Sequence, residues 1–300
     1  MMNSNLDLLT QISLDDLVAS FGWQDRPVLA RLLRRAFLSP PQAFAHQMVE
    51  FDSAIPRYGL VEASRRSIQH FVDDIYLFGR ERLPSGPFLA LSNHPGMTDT
   101  LSLFIALNRT DLKIIALNRP FLEALPNMSK QLAYVTGDAE SRFRLIREIS
   151  THLRSGGAAL TFPAGNIEPD PDLQPCALEP LHSLRSWTDS AGVFVRMAPE
   201  TAVLPVLVRG VIRKKTARSP LKYLKRAQAE REKFAAALQL LAHVMFKKKD
   251  VHVRVQIGNP IYTRDIGTTD TKIIHRAVLD EMRRLIEHPP CATDAGERLL

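Results

Sequence analysis

Cysteine is scarce: there are two in 300 residues, Cys176 and Cys291. Their separation excludes a zinc or dithiol spacing and a disulfide-stapled fold, and points to a reducing compartment. No apolar run approaches the roughly 18 residues of a membrane-spanning helix. The N-terminus, MMNSNLDLLTQISLDDL, has no basic start and no apolar core segment, which excludes a secretory signal. Internal repeats and low-complexity tracts are missing. So is any His/Cys/carboxylate cluster with ligand spacing, and no metal or bound cofactor is expected.

What the chain does have is 45% hydrophobic residues, ample for a packed core, and a net charge of +7 that is unevenly placed. Residues 213–249 carry 12 Lys/Arg against Glu230 and Glu232, so the remainder is slightly acidic. Between the basic clusters, Leu221, Leu224, Phe234, Leu238, Leu241 and Met245 approximate one helix face. Two readings stand for this segment. One is a core-packed helix with a charged outer face. The other is a patch for an anionic membrane, where each Lys/Arg adds about 1 kcal/mol. Nucleic acid is not expected as partner, since no recognition motif accompanies the charge.

Residues 1–72 read as a helical region. Ser13 stands as an N-cap before an acidic first turn in SLDDLVASF. DRPVLARLLRRAFL has apolar spacings of three and four. From residue 73 to 288 strands and helices alternate, predicting an α/β domain with a mostly parallel central sheet flanked by helices. Strands are expected in DDIYLFG, GPFLALSNH, DLKIIALN, LAYVTGD, AALTFPAG, TAVLPVLVRGVI and VHVRVQIGNPIY. Helices are expected in TDTLSLFIALN, RPFLEALPNMSKQ and ESRFRLIREISTHLRSG, the last closed by Gly156 and Gly157. Residues 166–190 read as a loop and 289–300 as a C-terminal tail. Ligands of such sheets sit beyond the C-terminal ends of the strands, where both His94 and Phe162-Pro163-Ala164-Gly165 fall.

His94 and Asp99 are the first candidates for chemistry. His-x4-Asp spacing alone is uninformative, because about half an instance is expected by chance. It recurs at His275 and Asp280 in HRAVLD. That stretch reads as helix, where five residues turn roughly 140° and point the two side chains apart. At His94, Pro95 and Gly96 interrupt regular structure and allow the chain to fold back. A histidine so paired can take a proton from a hydroxyl at neutral pH. The plainer alternative is a strand, a turn and a helix capped by Thr98 or Asp99. TFPAGNIEPD likewise reads either as a loop presenting N–H groups to an anion or oxyanion, or as an ordinary turn.

GRERLPSGPFLALSNHPGMTDTLSLFIAL resembles the first conserved block of the glycerolipid acyltransferases, the glycerol-3-phosphate and 1-acylglycerol-3-phosphate acyltransferases. It matches at Gly79, Leu83, Pro84, Asn93, His94 and Asp99. IIALNRPFLEALPNM is similar to the second block, with Arg119 at the basic position and Pro126 downstream. Phe162, Pro163 and Gly165 match three positions of a Phe-Pro-Glu-Gly third block, and AVLPVLVRG with Pro205 resembles the fourth. VQIGNPI resembles a late Gly-x-Pro-Ile strand end. The blocks stand in order over about residues 73–285. Two departures stand out. Ala164 replaces the third-block Glu, for which Glu168 is a substitute candidate. The Arg that often follows the third strand is missing, with Arg142 or Arg144 the nearest.

The resemblance implies an acyltransferase. His94 would be the general base, with Asp99 in support. Asn93, Arg119, Phe162, Pro163, Gly165, Asn166 and Glu168 would line the substrate site, with Arg119 meeting an acceptor phosphate. The expected partners are an acyl-CoA or acyl carrier protein thioester, a lipid or glycerol-phosphate acceptor, and an anionic membrane surface. The expected location is cytoplasmic, at the inner face of the membrane. A non-catalytic lipid-binding relative and a thioester hydrolase using the same pair are the alternatives.

Overall fold

A computed structural model describes residues 2–22, 25–173, 177–212, 251–291 and 294–300. The basic segment 213–249 and Cys176 lie outside these, so neither reading of that segment is addressed. Three helices open the chain: α1 (Met2–Phe21), α2 (Pro27–Ala36) and α3 (Ser39–Ile68). Ser13 is therefore not a cap. It lies inside α1, because apolar positions Leu9, Leu14, Leu17 and Val18 continue a single buried stripe through it. Pro27 occupies the first turn of α2, where its missing N–H costs nothing. Within α3 the helix kinks at Gly59 (φ 78°), three residues after Pro56.

The strands are β1 (Asp74–Phe78), β2 (Phe88–Ser92), β3 (Lys113–Leu117), β4 (Leu132–Val135), β5 (Ala158–Thr161), β6 (Ala202–Arg209), β7 (His252–Ile257) and β8 (Glu297–Arg298). They form one sheet in the order β4-β3-β5-β2-β6-β7-β1-β8. The neighbours from β4 to β6 are parallel, as are β7 and β1. β6–β7 and β1–β8 are antiparallel. The fold is thus α/β with a mostly parallel sheet. Residues 289–300 do more than trail off: Glu297–Arg298 extend the sheet beside β1.

Helices cover both faces. They are α4 (Met97–Leu107), α5 (Pro120–Glu123), α6 (Pro126–Ser129), α7 (Ala139–Arg154), α8 (Leu178–Ser183), α9 (Ala191–Met197), α10 (Thr263–Ile266) and α11 (Thr271–Glu287). Alternation along β2 divides the core. Phe88 and Ala90 pack with α1, α3 and α4, while Leu89 and Leu91 pack with α7, α9 and α11. β6 alternates in the same way, Leu204 and Val206 to one side, Val203 and Leu207 to the other. α1 and α3 therefore share a core with the sheet, while Ala30 and Leu33 of α2 pack with Leu17 and Val18 of α1 in a small cluster of their own. RPFLEALPNMSKQ is not one helix. Pro126 disfavours helical geometry at Leu125, splitting it into α5 and α6. Asp52 of α3 then accepts from the N–H groups of Asn127 and Met128 (2.9 and 2.8 Å), capping α6 from outside. The 166–190 stretch holds α8 and a 3₁₀ turn at Leu184–Ser186.

Candidate active site

β2 and β5 are adjacent and parallel, with Leu91 beside Thr161. The loops leaving their C-terminal ends therefore lie side by side. In the first loop, Pro95 breaks the ladder and α4 starts at Met97, with Gly96 as N-cap. Asp99 is consequently the third helical residue, not the cap. It reaches back to the Gly96 N–H (3.0 Å) and to His94 Nδ1 (2.8 Å), both through Oδ2. Thr98 does not cap either, and its hydroxyl is buried without a partner among the described residues. Oδ1 accepts from the Thr100 N–H and hydroxyl. Asp99 is 0% exposed and all its contacts are donors, so its carboxylate accepts at every position.

This arrangement assigns the histidine tautomer. Nδ1 carries the hydrogen that Asp99 accepts, leaving Nε2 with its lone pair and no protein partner among the described residues. The His94 side chain is 29% exposed, so Nε2 can meet a ligand. Burial favours the neutral ring, but the charge and hydrogen bond of Asp99 outweigh it. Glu168 adds to the effect and Arg119 opposes it, so the His94 pKa is raised above its ordinary value. The comparison pair behaves otherwise: His275 and Asp280 lie on α11, where Asp280 pairs with Arg283.

In the second loop, the Phe162 ring lies against the His94 ring, tilted by 34° with centroids 4.6 Å apart. Gly165 has φ 65°, which a residue with a Cβ adopts at a cost. Its N–H donates to the Phe162 carbonyl (3.0 Å), closing the turn. Pro163 is buried and accepts from Thr188 through its carbonyl, while Asn166 is exposed. Ala164 packs against the α7–α9 side of the core.

Glu168 lies behind the histidine. It is 2% exposed. Its N–H donates to the His94 carbonyl (2.9 Å) and its Oε2 accepts from the His94 N–H (3.2 Å). Oε1 accepts from Trp187 Nε1 (2.8 Å) and the Ser183 hydroxyl (3.1 Å). Burial raises its pKa to about 7, against these hydrogen bonds and the charge of His94. Asn93 also turns away from the open face. Its amide nitrogen donates to the Val208 carbonyl (2.9 Å) and its oxygen accepts from the Val208 N–H (2.8 Å), pinning the loop to β6. Arg119 is exposed at the start of α5. Its charge opposes the rise at His94 and lowers the Asp16 carboxyl of α1 against the effect of burial. Arg142 and Arg144 are engaged locally on α7, with the Gly137 carbonyl and Glu140.

The structure thus brings His94, Asp99, Phe162, Gly165 and Glu168 into one cluster, while Arg119 is linked to it only through its charge. The partners Trp187, Ser183 and Val208 carry no motif and were not legible in the sequence. Among the described residues no three His, Cys, Asp or Glu are grouped to hold a metal ion. No protein-family model matches the chain, nor does any curated protein. Among solved structures, the 1-acyl-sn-glycerophosphate (LPA) acyltransferase PlsC from Thermotoga maritima is similar, at 14% identity and a TM-score of 0.47, over 93% of this chain and 96% of that one.

Proposed function

We propose that the chain is an acyltransferase moving a fatty acyl group from an acyl-CoA or acyl carrier protein thioester to a hydroxyl of a glycerolipid-type phosphate. The observation that carries this is the His94–Asp99 pair: Nδ1 is held by a fully buried carboxylate while Nε2 is left open at the C-terminal end of a central parallel strand. Nε2 takes the proton of the acceptor hydroxyl as its oxygen attacks the thioester carbonyl. The tetrahedral intermediate collapses with cleavage of the C–S bond, and the thiolate leaves with the proton from His94. Ester and free thiol are the products. The Gly165 N–H is spent inside its turn. The N–H groups of Ala164 and Asn166 are therefore the ones left there to meet the oxyanion. Arg119 receives the acceptor phosphate.

No helix among the described residues is long and apolar enough to cross a membrane. A peripheral approach to lipid is supported by α2, where Val28 and Leu32 are 75% and 67% exposed and alternate with exposed Arg31 and Arg35. The test is thiol release from acyl-CoA with and without candidate glycerol-phosphate acceptors. Acceptor-dependent release that His94→Ala lowers by roughly 10²–10⁴-fold is expected. Release independent of acceptor would mean hydrolysis, no release would mean a binding protein, and full activity of His94→Ala would sink the reading.

A further inference from the structure

The segment after the Phe162 turn places two carboxylates, Glu168 and Asp170, under two neighbouring strand ends. Asp170 is 0% exposed and accepts from the N–H groups of Gly210 and Ile212 (both 2.9 Å), and of Asp172 (3.0 Å). The 210–212 turn held in this way backs the histidine loop: a Cβ on Gly96 would stand 3.1 Å from Val211 Cγ1. Glu168 holds the same loop directly, through the paired hydrogen bonds with the main chain of His94. Its far side is tied to Ser183 of α8 and to Trp187, itself 4% exposed.

We propose that Glu168 is the positioning residue of the site, fixing the His94 main chain, and hence Nε2, through a buried carboxyl group that, once ionised, accepts at every contact. The proposal rests on the acyl-transfer reading for its kinetic expression, but not for its geometry. Both ends of the carboxylate face donors: the His94 N–H at Oε2 and the Trp187 N–H at Oε1. The Ser183 hydroxyl also has the Pro180 carbonyl as acceptor (2.8 Å), so it alone can accommodate either role. A carboxamide of the same shape must therefore aim its NH2 at one N–H donor, leaving a buried donor unpaired. An acidic side chain is required here for its hydrogen-bonding pattern, without touching substrate.

The test is Glu168→Gln, which keeps volume and shape. With the variant melting as wild type does, kcat for thiol release at pH 8, where Glu168 is ionised, is expected to fall about 10- to 100-fold, the scale of a misplacement near 1 Å, with the acyl-CoA KM unchanged. The His94 imidazole, followed by ¹⁵N NMR, should titrate at lower pH. Of the charged groups acting on it, Glu168 would be lost while Asp99 and Arg119 stay. Adding Trp187→Phe removes the opposing donor and should recover part of kcat, which a purely structural loss would not allow. An unchanged kcat, or an unchanged His94 titration, overturns the proposal. If wild-type protein releases no thiol with any acceptor, acyl transfer fails as a function, and the crystal structure of Glu168→Gln decides the role of Glu168: a displaced His94 main chain supports it and an undisplaced one overturns it.

Discussion

At the scale of single residues, the site depends on which atoms accept and which donate. Asp99 keeps the Nδ1 hydrogen in place and Nε2 free. Asp99→Asn, which can turn its NH2 toward Nδ1, is expected to favour the other tautomer and lower kcat by two to four orders of magnitude. The acidic limb of the wild-type kcat/KM profile should lie above the ordinary histidine value, because His94 must lose a proton it holds more tightly than usual. In Asp99→Asn the residual activity should show that limb at lower pH. Glu168 gives a second pH signature, in stability. Its carboxyl binds a proton more tightly in the folded chain, about 7 against 4.5 unfolded. The resulting advantage is complete below pH 4.5 and is lost as pH rises through 7, amounting to about 3 kcal/mol. Urea unfolding from pH 4.5 to 8 should show wild type losing roughly that much relative to Glu168→Gln, and parallel curves would refute it.

At the scale of elements, loops are held by side chains that replace regular hydrogen bonding. Asn93 satisfies the N–H and C=O of Val208, extending the β2–β6 ladder by one side chain. Asn93→Ala leaves both Val208 groups buried and unpaired. It should cost about 1–3 kcal/mol per orphaned group, read from the urea midpoint. Asp52→Ala removes the cap of α6 and should cost about 1–2 kcal/mol by the same measurement. Elements were legible where periodicity was local. Continuous short apolar runs marked β2, β5 and β6, and Gly156 (φ 88°) ends α7 as expected from its place after Arg154. Helix ends were less legible. Ser13 has the chemistry of a cap, yet the apolar stripe through α1 overrides it. The 120–129 segment looked continuous until Pro126 acted on Leu125.

At the scale of the whole molecule, α1 and α3 share one core with the sheet, and Asp16 of α1 lies within electrostatic reach of Arg119. Among the described residues the outer face of α2 is left exposed at Val28 and Leu32. Leu32→Glu should weaken co-sedimentation with anionic vesicles at low salt while leaving the melting temperature little changed, since Leu32 is 67% exposed. Undiminished vesicle binding would remove α2 as the contact.

The sequence by itself determined the fold class, the candidate histidine and carboxylate, and the two loops around them, because strand alternation and a Pro-Gly break are local properties of the chain. Tertiary structure alone decided which side chains face a ligand. Asn93 and Glu168, read beforehand as substrate contacts, turn inward because Val208, Trp187 and Ser183 supply their partners from 15 to 115 residues away. Hydrogen-bond partners of buried polar groups are set by strand order and register, and no spacing along the chain encodes them.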